Sequence, residues 1–207
     1  MAIEIEEPQP SRFVVGIDLG TTNSAVCFVD TDKSSRQIKT FAMPQLVAAG
    51  SVEARETLPS FHYQPTASEL AAGSLTLPWQ QEDGEFAVGF FARDQGAVAP
   101  GRLIASAKSW LCHSGVDRTA DLLPWHGAND VERLSPVEVA ARYLGHVRAA
   151  WDAQHRQHPL AEQDLVITLP ASFDEVAREL TIEAAARAGL PGRGRPRQWR
   201  SGTRGSR

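Results

Sequence analysis

The 207-residue chain is 42% hydrophobic and 22% charged, the composition of a globular protein with its own core. No apolar run approaches the about 18 residues needed to cross a bilayer, and the acidic start Met1–Glu7 lacks the basic-then-apolar order of a secretory signal. Cys27 and Cys112 fit no metal or redox spacing and are expected to be reduced thiols in a cytoplasmic protein.

The formal charge of −4 hides an asymmetry. Six of the 21 basic residues are arginines at 193, 195, 197, 200, 204 and 207, in a segment with no acid. Residues 1–190 therefore carry 15 basic and 25 acidic residues, a net of −10.

Residues 1–12 read as a flexible lead-in, with Pro8 and Pro10 blocking regular structure. Phe13–Asp18 is a short, β-rich apolar run and Ser24–Asp30 a second. The Leu19–Asn23 connection joins them into a hairpin. Gln37–Phe41 is a third candidate strand. Residues 44–130 are richer in Pro and Gly and read as a smaller inserted subdomain, with strand-like pieces at Ser60–Tyr63 and Glu85–Val88 and a helix over about 102–112.

Two helices carry clear start signals. Ser135, Pro136 and Glu138 supply an N-cap, an N1 proline and a capping-box acid, followed by Val137, Ala140, Leu144, Val147 and Trp151 at helical spacing. Leu165–Leu169 is a buried strand closed by Pro170. Ser172 and Glu175 repeat the capping box ahead of a helix whose apolar positions are Val176, Leu180, Ala184 and Ala188, with Gly189 as its C-terminal left-handed residue. This order of elements predicts an α/β fold with a mixed sheet. Residues 191–207 read as a disordered basic tail. They are either a functional arm for nucleic acid or acidic partners or the product of a shifted reading frame, which the abrupt change of composition favours.

The chemistry concentrates in Asp18–Ser24. A glycine in a tight turn lets backbone amides approach a ligand, successive amides make an anion-binding concavity, and two threonine hydroxyls add donors. An aspartate at the end of the preceding strand suits a hydrated Mg²⁺, which prefers oxygen. Neither a Walker sequence nor a Rossmann glycine fingerprint is present. An ordinary hairpin with a glycine turn is the alternative.

The stretch Val15–Val26 resembles the opening phosphate motif of Hsp70-type (DnaK-like) chaperones in the actin/hexokinase/Hsp70 superfamily. Three later stretches resemble the same family in the same order: Leu58–Phe61; Val88–Arg93 followed by Arg102–Leu111; and Leu165–Glu175 with Arg178 and Ala184–Gly189. The resemblance covers residues 13–190 and implies the first lobe of an actin-like (ribonuclease H-like) ATPase fold. It also implies roles. Asp18 would face Mg²⁺; Gly20, Thr21, Thr22 and Asn23 would touch the ATP phosphates; Lys108 would be the catalytic lysine. Pro170 and Arg178 would be the interlobe switch.

The family further implies coupling of ATP hydrolysis to protein folding, with unfolded clients and co-chaperones as partners. Its second lobe, with another phosphate loop and the adenosine pocket, has no counterpart in this sequence. The expectation is a truncated half-site with little or no ATP hydrolysis. A non-catalytic protein- or nucleic-acid-binding module, the latter only if the basic tail is functional, and a fragment of an actin-fold sugar kinase are the alternatives.

Overall fold

The expected hairpin consists of β1 (Phe13–Asp18) and β2 (Asn23–Asp30), paired antiparallel from Phe13↔Asp30 to Asp18↔Ala25. The computed structural model describes residues 11–81, 84–170 and 173–190. The lead-in at 1–10, Ser172 and the arginine-rich segment 191–207 lie outside the described residues.

The chain continues through β3 (Lys39–Thr40), β4 (Met43–Ala48), β5 (Ser51–Arg55), β6 (Thr57–Pro59), β7 (Phe61–Tyr63), α1 (Ala67–Ala71), β8 (Ala87–Val88), α2 (Phe90–Val98), β9 (Leu103–Ala105), α3 (Ala107–Leu111), α4 (Pro136–Gln154), β10 (Asp164–Thr168) and α5 (Glu175–Arg187). The main sheet runs β10-β1-β2-β3, and β6 also pairs with β2. β10 is parallel to β1 while β2, β3 and β6 join antiparallel, which is the mixed α/β arrangement the pattern predicts.

Alternation along β1 sends Phe13, Val15 and Ile17 to one face, where all three are buried. Helix α4 covers that face. Its predicted positions Val137, Ala140, Leu144, Val147 and Trp151 are all buried, and Ser135 accepts the Glu138 amide at 3.1 Å as the N-cap. Trp151 is the centre of the packing. Phe13 and Phe28 meet it edge-on at 5.4 Å, Phe41 lies tilted at 5.2 Å, and His155 stacks at 4.1 Å. Its indole N–H donates to the His158 carbonyl at 3.0 Å, so no polar atom of the ring is stranded.

Helix α5 differs from expectation at its start and in its buried face. Asp174 is the N-cap, accepting the Ala177 amide at 2.7 Å, and the bidentate Arg118 guanidinium holds its carboxylate at 2.8 Å on each oxygen. That hydrogen bond, with the Ala177 amide, brings the Asp174 carboxyl down to about 2. Val176 is 51% exposed, whereas Ala177, Leu180, Thr181, Ala184 and Ala185 are buried. Small residues allow α5 to approach α4 closely, so Leu180 and Ala184 of the expected stripe are buried while Val176 gives way to Ala177. The helix ends as expected. Gly189 adopts φ 69°, its amide reaches the Ala186 carbonyl at 2.9 Å, and the Leu190 amide reaches Ala185 at 2.8 Å.

The region 44–130 contains more regular structure than its composition predicts. β4 and β5 form a hairpin, β8-β7-β9 a second small sheet, and α2 packs across β7 and β4. Leu46, Tyr63, Leu75, Ala87, Phe91 and Ala92 make a cluster separate from the main core. The expected helix at 102–112 is corrected. Leu103–Ala105 pairs with Phe61–Tyr63 as strand, Ser106 turns left-handed at φ 56°, and only Ala107–Leu111 is α-helical. The third expected strand is reduced to Lys39–Thr40.

Replacing Trp151 by alanine empties the space shared by three aromatic rings and is expected to cost about 3–5 kcal/mol, read as a lower urea midpoint. Two buried histidines set a pH dependence. Burial, with Arg142 alongside, lowers His62 to about 3, and burial lowers His146 to about 4. Both folded values lie below the unfolded value of 6.5. Stability is therefore complete above that value and falls as the pH drops toward the folded ones, because only the unfolded chain takes up the protons. Each site contributes a slope of up to about 1.4 kcal/mol per pH unit. Urea unfolding from pH 7.5 to 5 should show this decline, and His146→Gln should make it shallower.

Candidate functional site

At the carboxyl end of β1 the chain leaves the sheet at Leu19, turns through Gly20–Thr22 and re-enters at Asn23. Gly20 is required by the loop itself. A Cβ there would lie 1.9 Å from the Asn23 carbonyl oxygen, so the glycine lets the two ends of the turn close on each other. The expected reason, room for a ligand against the amides, is thus joined by a steric one inside the turn. Leu19 is 2% exposed and anchors the turn, while Thr21, Thr22 and Asn23 are exposed on its rim.

Two chain-distant segments brace this loop. Because β10 runs parallel to β1 in register, Thr168 sits beside Asp18, and its hydroxyl donates to Asp18 Oδ1 at 2.9 Å. From the other side, β6 pairs with β2 and brings Ser60 under the turn. The Ser60 amide donates to the Thr22 carbonyl at 2.8 Å, and its hydroxyl donates to the Gly20 carbonyl at 2.7 Å.

Lys108 reaches the same place from α3. Its side chain is buried, and Nζ donates to the Leu19 carbonyl, between Asp18 and Gly20 in the chain. The ammonium also lies 5.4 Å from the Phe173 ring centre. Burying a charge on an aliphatic stem is costly unless polar or anionic partners meet it. The position therefore suits an anion held at the loop.

The structure thus brings Asp18, the Gly20–Asn23 loop and Lys108 together. Pro170 follows the end of β10, and its carbonyl accepts the Phe173 amide at 3.1 Å. Arg178 lies on α5 with a buried Nε that has no hydrogen-bond partner among the described residues. Neither is linked to the loop by a hydrogen bond given for the described residues. Sequence reasoning gave no role to Ser60, Thr168 or Phe173. All three stand inside stretches it had singled out, and a hydroxyl ending a strand parallel to the one that delivers Asp18 was the available signal for Thr168.

The donor set fits a polyphosphate with a hard cation. It offers one ammonium, two threonine hydroxyls, loop amides and one carboxylate. Among the described residues no group of three or more His, Cys, Asp or Glu could hold a metal by itself. A Mg²⁺ here would rely on Asp18, water and the phosphates it accompanies, which is the usual way that ion is held. A cavity of about 770 Å³ lies elsewhere, between the 77–88 segment and α4. It is lined by Trp79, Phe86, Arg142 and His146 among others, and none of the loop residues borders it.

The mixed sheet with flanking helices defines an α/β protein whose candidate site lies at the carboxyl ends of β1 and β10. No family model matches the chain. Over 193 residues it is 33% identical to the chaperone protein HscA of Salmonella agona (strain SL483), and equally to that of Salmonella newport (strain SL254). The match takes in 88% of this chain, which spans about a quarter of the length of these relatives, 26%. The matched stretch is an Hsp70-like region. No helix among the described residues is long and apolar enough to cross a membrane. Cys27 and Cys112 are both free thiols and exposed.

Gly20→Ala should force the turn open against Asn23. The expected loss is about 1–3 kcal/mol in urea unfolding, with the largest amide shift changes confined to residues 19–24. Unchanged stability would show that the turn tolerates a Cβ.

Proposed function

We propose that this region is the phosphate-binding side of an Hsp70-type nucleotide site that takes MgATP. The observation that carries the reading is Lys108. A lysine 89 residues away from Leu19 is buried at the turn between Asp18 and Gly20, and a merely solvated helix lysine has no reason to be there. In this reading Gly20, Thr21, Thr22 and Asn23 meet the β- and γ-phosphates through amides and hydroxyls. Asp18 takes the hydrated metal, and Lys108 neutralises charge on the terminal phosphate. Mg²⁺, when bound, would supply further charge neutralisation on the phosphate oxygens. Transfer of a phosphoryl group depends mainly on such positioning and electrostatics. Pro170, on the connection into α5, and Arg178, on α5 itself, would pass the state of the site to a second lobe.

On the same reading residues 13–190 form the first lobe of an actin-like domain, with about 44–130 as its smaller inserted part. Coupling to protein folding, with unfolded clients and co-chaperones as partners and the cytoplasm as its place, is carried over from the chaperones it resembles.

Calorimetric titration with MgATP tests the site. Binding is expected for the unmodified chain, with affinity reduced about tenfold or more in both Asp18→Asn and Lys108→Ala, equivalent to about 1.4 kcal/mol each. Equal affinity in all three proteins would place the nucleotide elsewhere, and absence of heat in the unmodified chain would overturn the reading.

A further inference from the structure

The loop that would meet phosphate does not hold its own shape. Between Asp18 and Ala25, where the β1–β2 ladder stops, six residues must turn. Two of their carbonyls, Gly20 and Thr22, are held by a single residue, Ser60, in the bend between β6 and β7. Ser60 spends its hydroxyl on Gly20 at 2.7 Å and its amide on Thr22 at 2.8 Å. It is 2% exposed, so neither bond competes with bulk water. The Ser24 hydroxyl lies 3.3 Å from that of Ser60, within hydrogen-bond reach.

The geometry points to Ser60 as the positioning residue of the phosphate loop, an inference that rests on the phosphate-site reading above. A peptide unit is planar and trans, so its N–H points opposite to its C=O. Pulling the Gly20 carbonyl inward to the Ser60 hydroxyl therefore turns the Thr21 N–H away from the buried serine. The Thr22 carbonyl, held by the Ser60 amide, fixes the next-but-one peptide in the same way. Oriented amides of this kind bind an anion only while their orientation is fixed in advance, since reorienting them on binding consumes the interaction.

Ser60 is itself set by the buried side chain of Gln45, which ties neighbouring elements together. Gln45 Nε2 donates to the Thr57 carbonyl of β6 at 2.9 Å, and its Oε1 accepts the Phe90 amide at the start of α2 at 3.2 Å. β6, which ends one residue before Ser60, is thereby fixed to the body of the protein and not only to the hairpin.

The test uses the full chain, amide hydrogen exchange and NMR titration with inorganic pyrophosphate. In Ser60→Ala the residue-60 amide, which donates to the Thr22 carbonyl, is expected to exchange about tenfold faster, pyrophosphate to bind about fivefold more weakly, and the β1 and β10 amides to keep their protection. Ser60→Thr, which retains the hydroxyl, is expected to bind within about twofold of the unmodified chain. Should Ser60→Ala not fold, Ser60→Cys, similar in size with a weak S–H donor, takes its place with the same expected loss. Unaltered affinity and exchange in Ser60→Ala, or a threonine variant as weak as the alanine one, overturn the role of Ser60. No pyrophosphate binding by the unmodified chain overturns the phosphate-site reading itself, an outcome recognised before any variant is measured.

Discussion

The parallel pairing of β1 with β10 is the contact on which the rest of this structure depends. It joins segments about 150 residues apart, from Val14↔Asp164 to Asp18↔Thr168. Polar side chains fasten its open end. The Phe13 amide donates to Gln163 Oε1 at 3.0 Å, and the Asp164 amide donates to the Ser11 hydroxyl at 3.1 Å. Closing so long a loop costs entropy that grows only slowly with its length. The cost is offset by the apolar face that the paired strands present to α4, with Val15, Ile17 and Ile167 buried together with Trp151. Once the two strands run side by side, their carboxyl ends coincide, and open α/β sheets offer ligand sites at that edge.

Charge placement follows from the same geometry. Lys108 reaches the turn from α3, which packs on α4, and donates to the Leu19 carbonyl. On that short helix Ala107, Lys108 and Leu111 are buried while Ser109 is exposed, so the lysine shares the inward face with two apolar residues. An ammonium carried inward in this way needs polar company. The Leu19 carbonyl and the Phe173 ring provide part of it, and Phe173 is fixed by the turn that leads to the Asp174 cap and its Arg118 partner. The cap of one helix and the lysine of another thus converge on the loop between β1 and β2.

The similarity to HscA spans most of this chain but only about a quarter of those relatives. It agrees with the mixed α/β architecture. The residues that brace the loop, Ser60 and Thr168, stand inside two of the four family-like stretches. Their partners are main-chain and side-chain atoms of the turn, which explains why the stretches belong together physically although they are far apart in the chain.

Much of the scaffold was legible in the sequence because its signals are local. The Phe13–Asp18 strand, the Ser135 cap with its five-residue apolar stripe and the Gly189 terminus depend on alternation, capping and φ preference within a few residues, and all appear as expected. The α5 face was misread because Val176 and Ala177 fit helical periodicity equally well, and only the closeness of α4 favours the smaller side chain. The 102–112 segment was misread because Leu103–Ala105 is too short to show alternation of its own and becomes a strand by pairing with β7. The candidate site divides the same way. Asp18, Gly20, Thr21, Thr22 and Asn23 are adjacent in the chain, so their residue types alone marked them. That Lys108, Thr168 and Ser60 meet them was decided by tertiary structure, since hydrogen bonds across 40 to 150 residues form only when packing has already paired the strands and seated the helices.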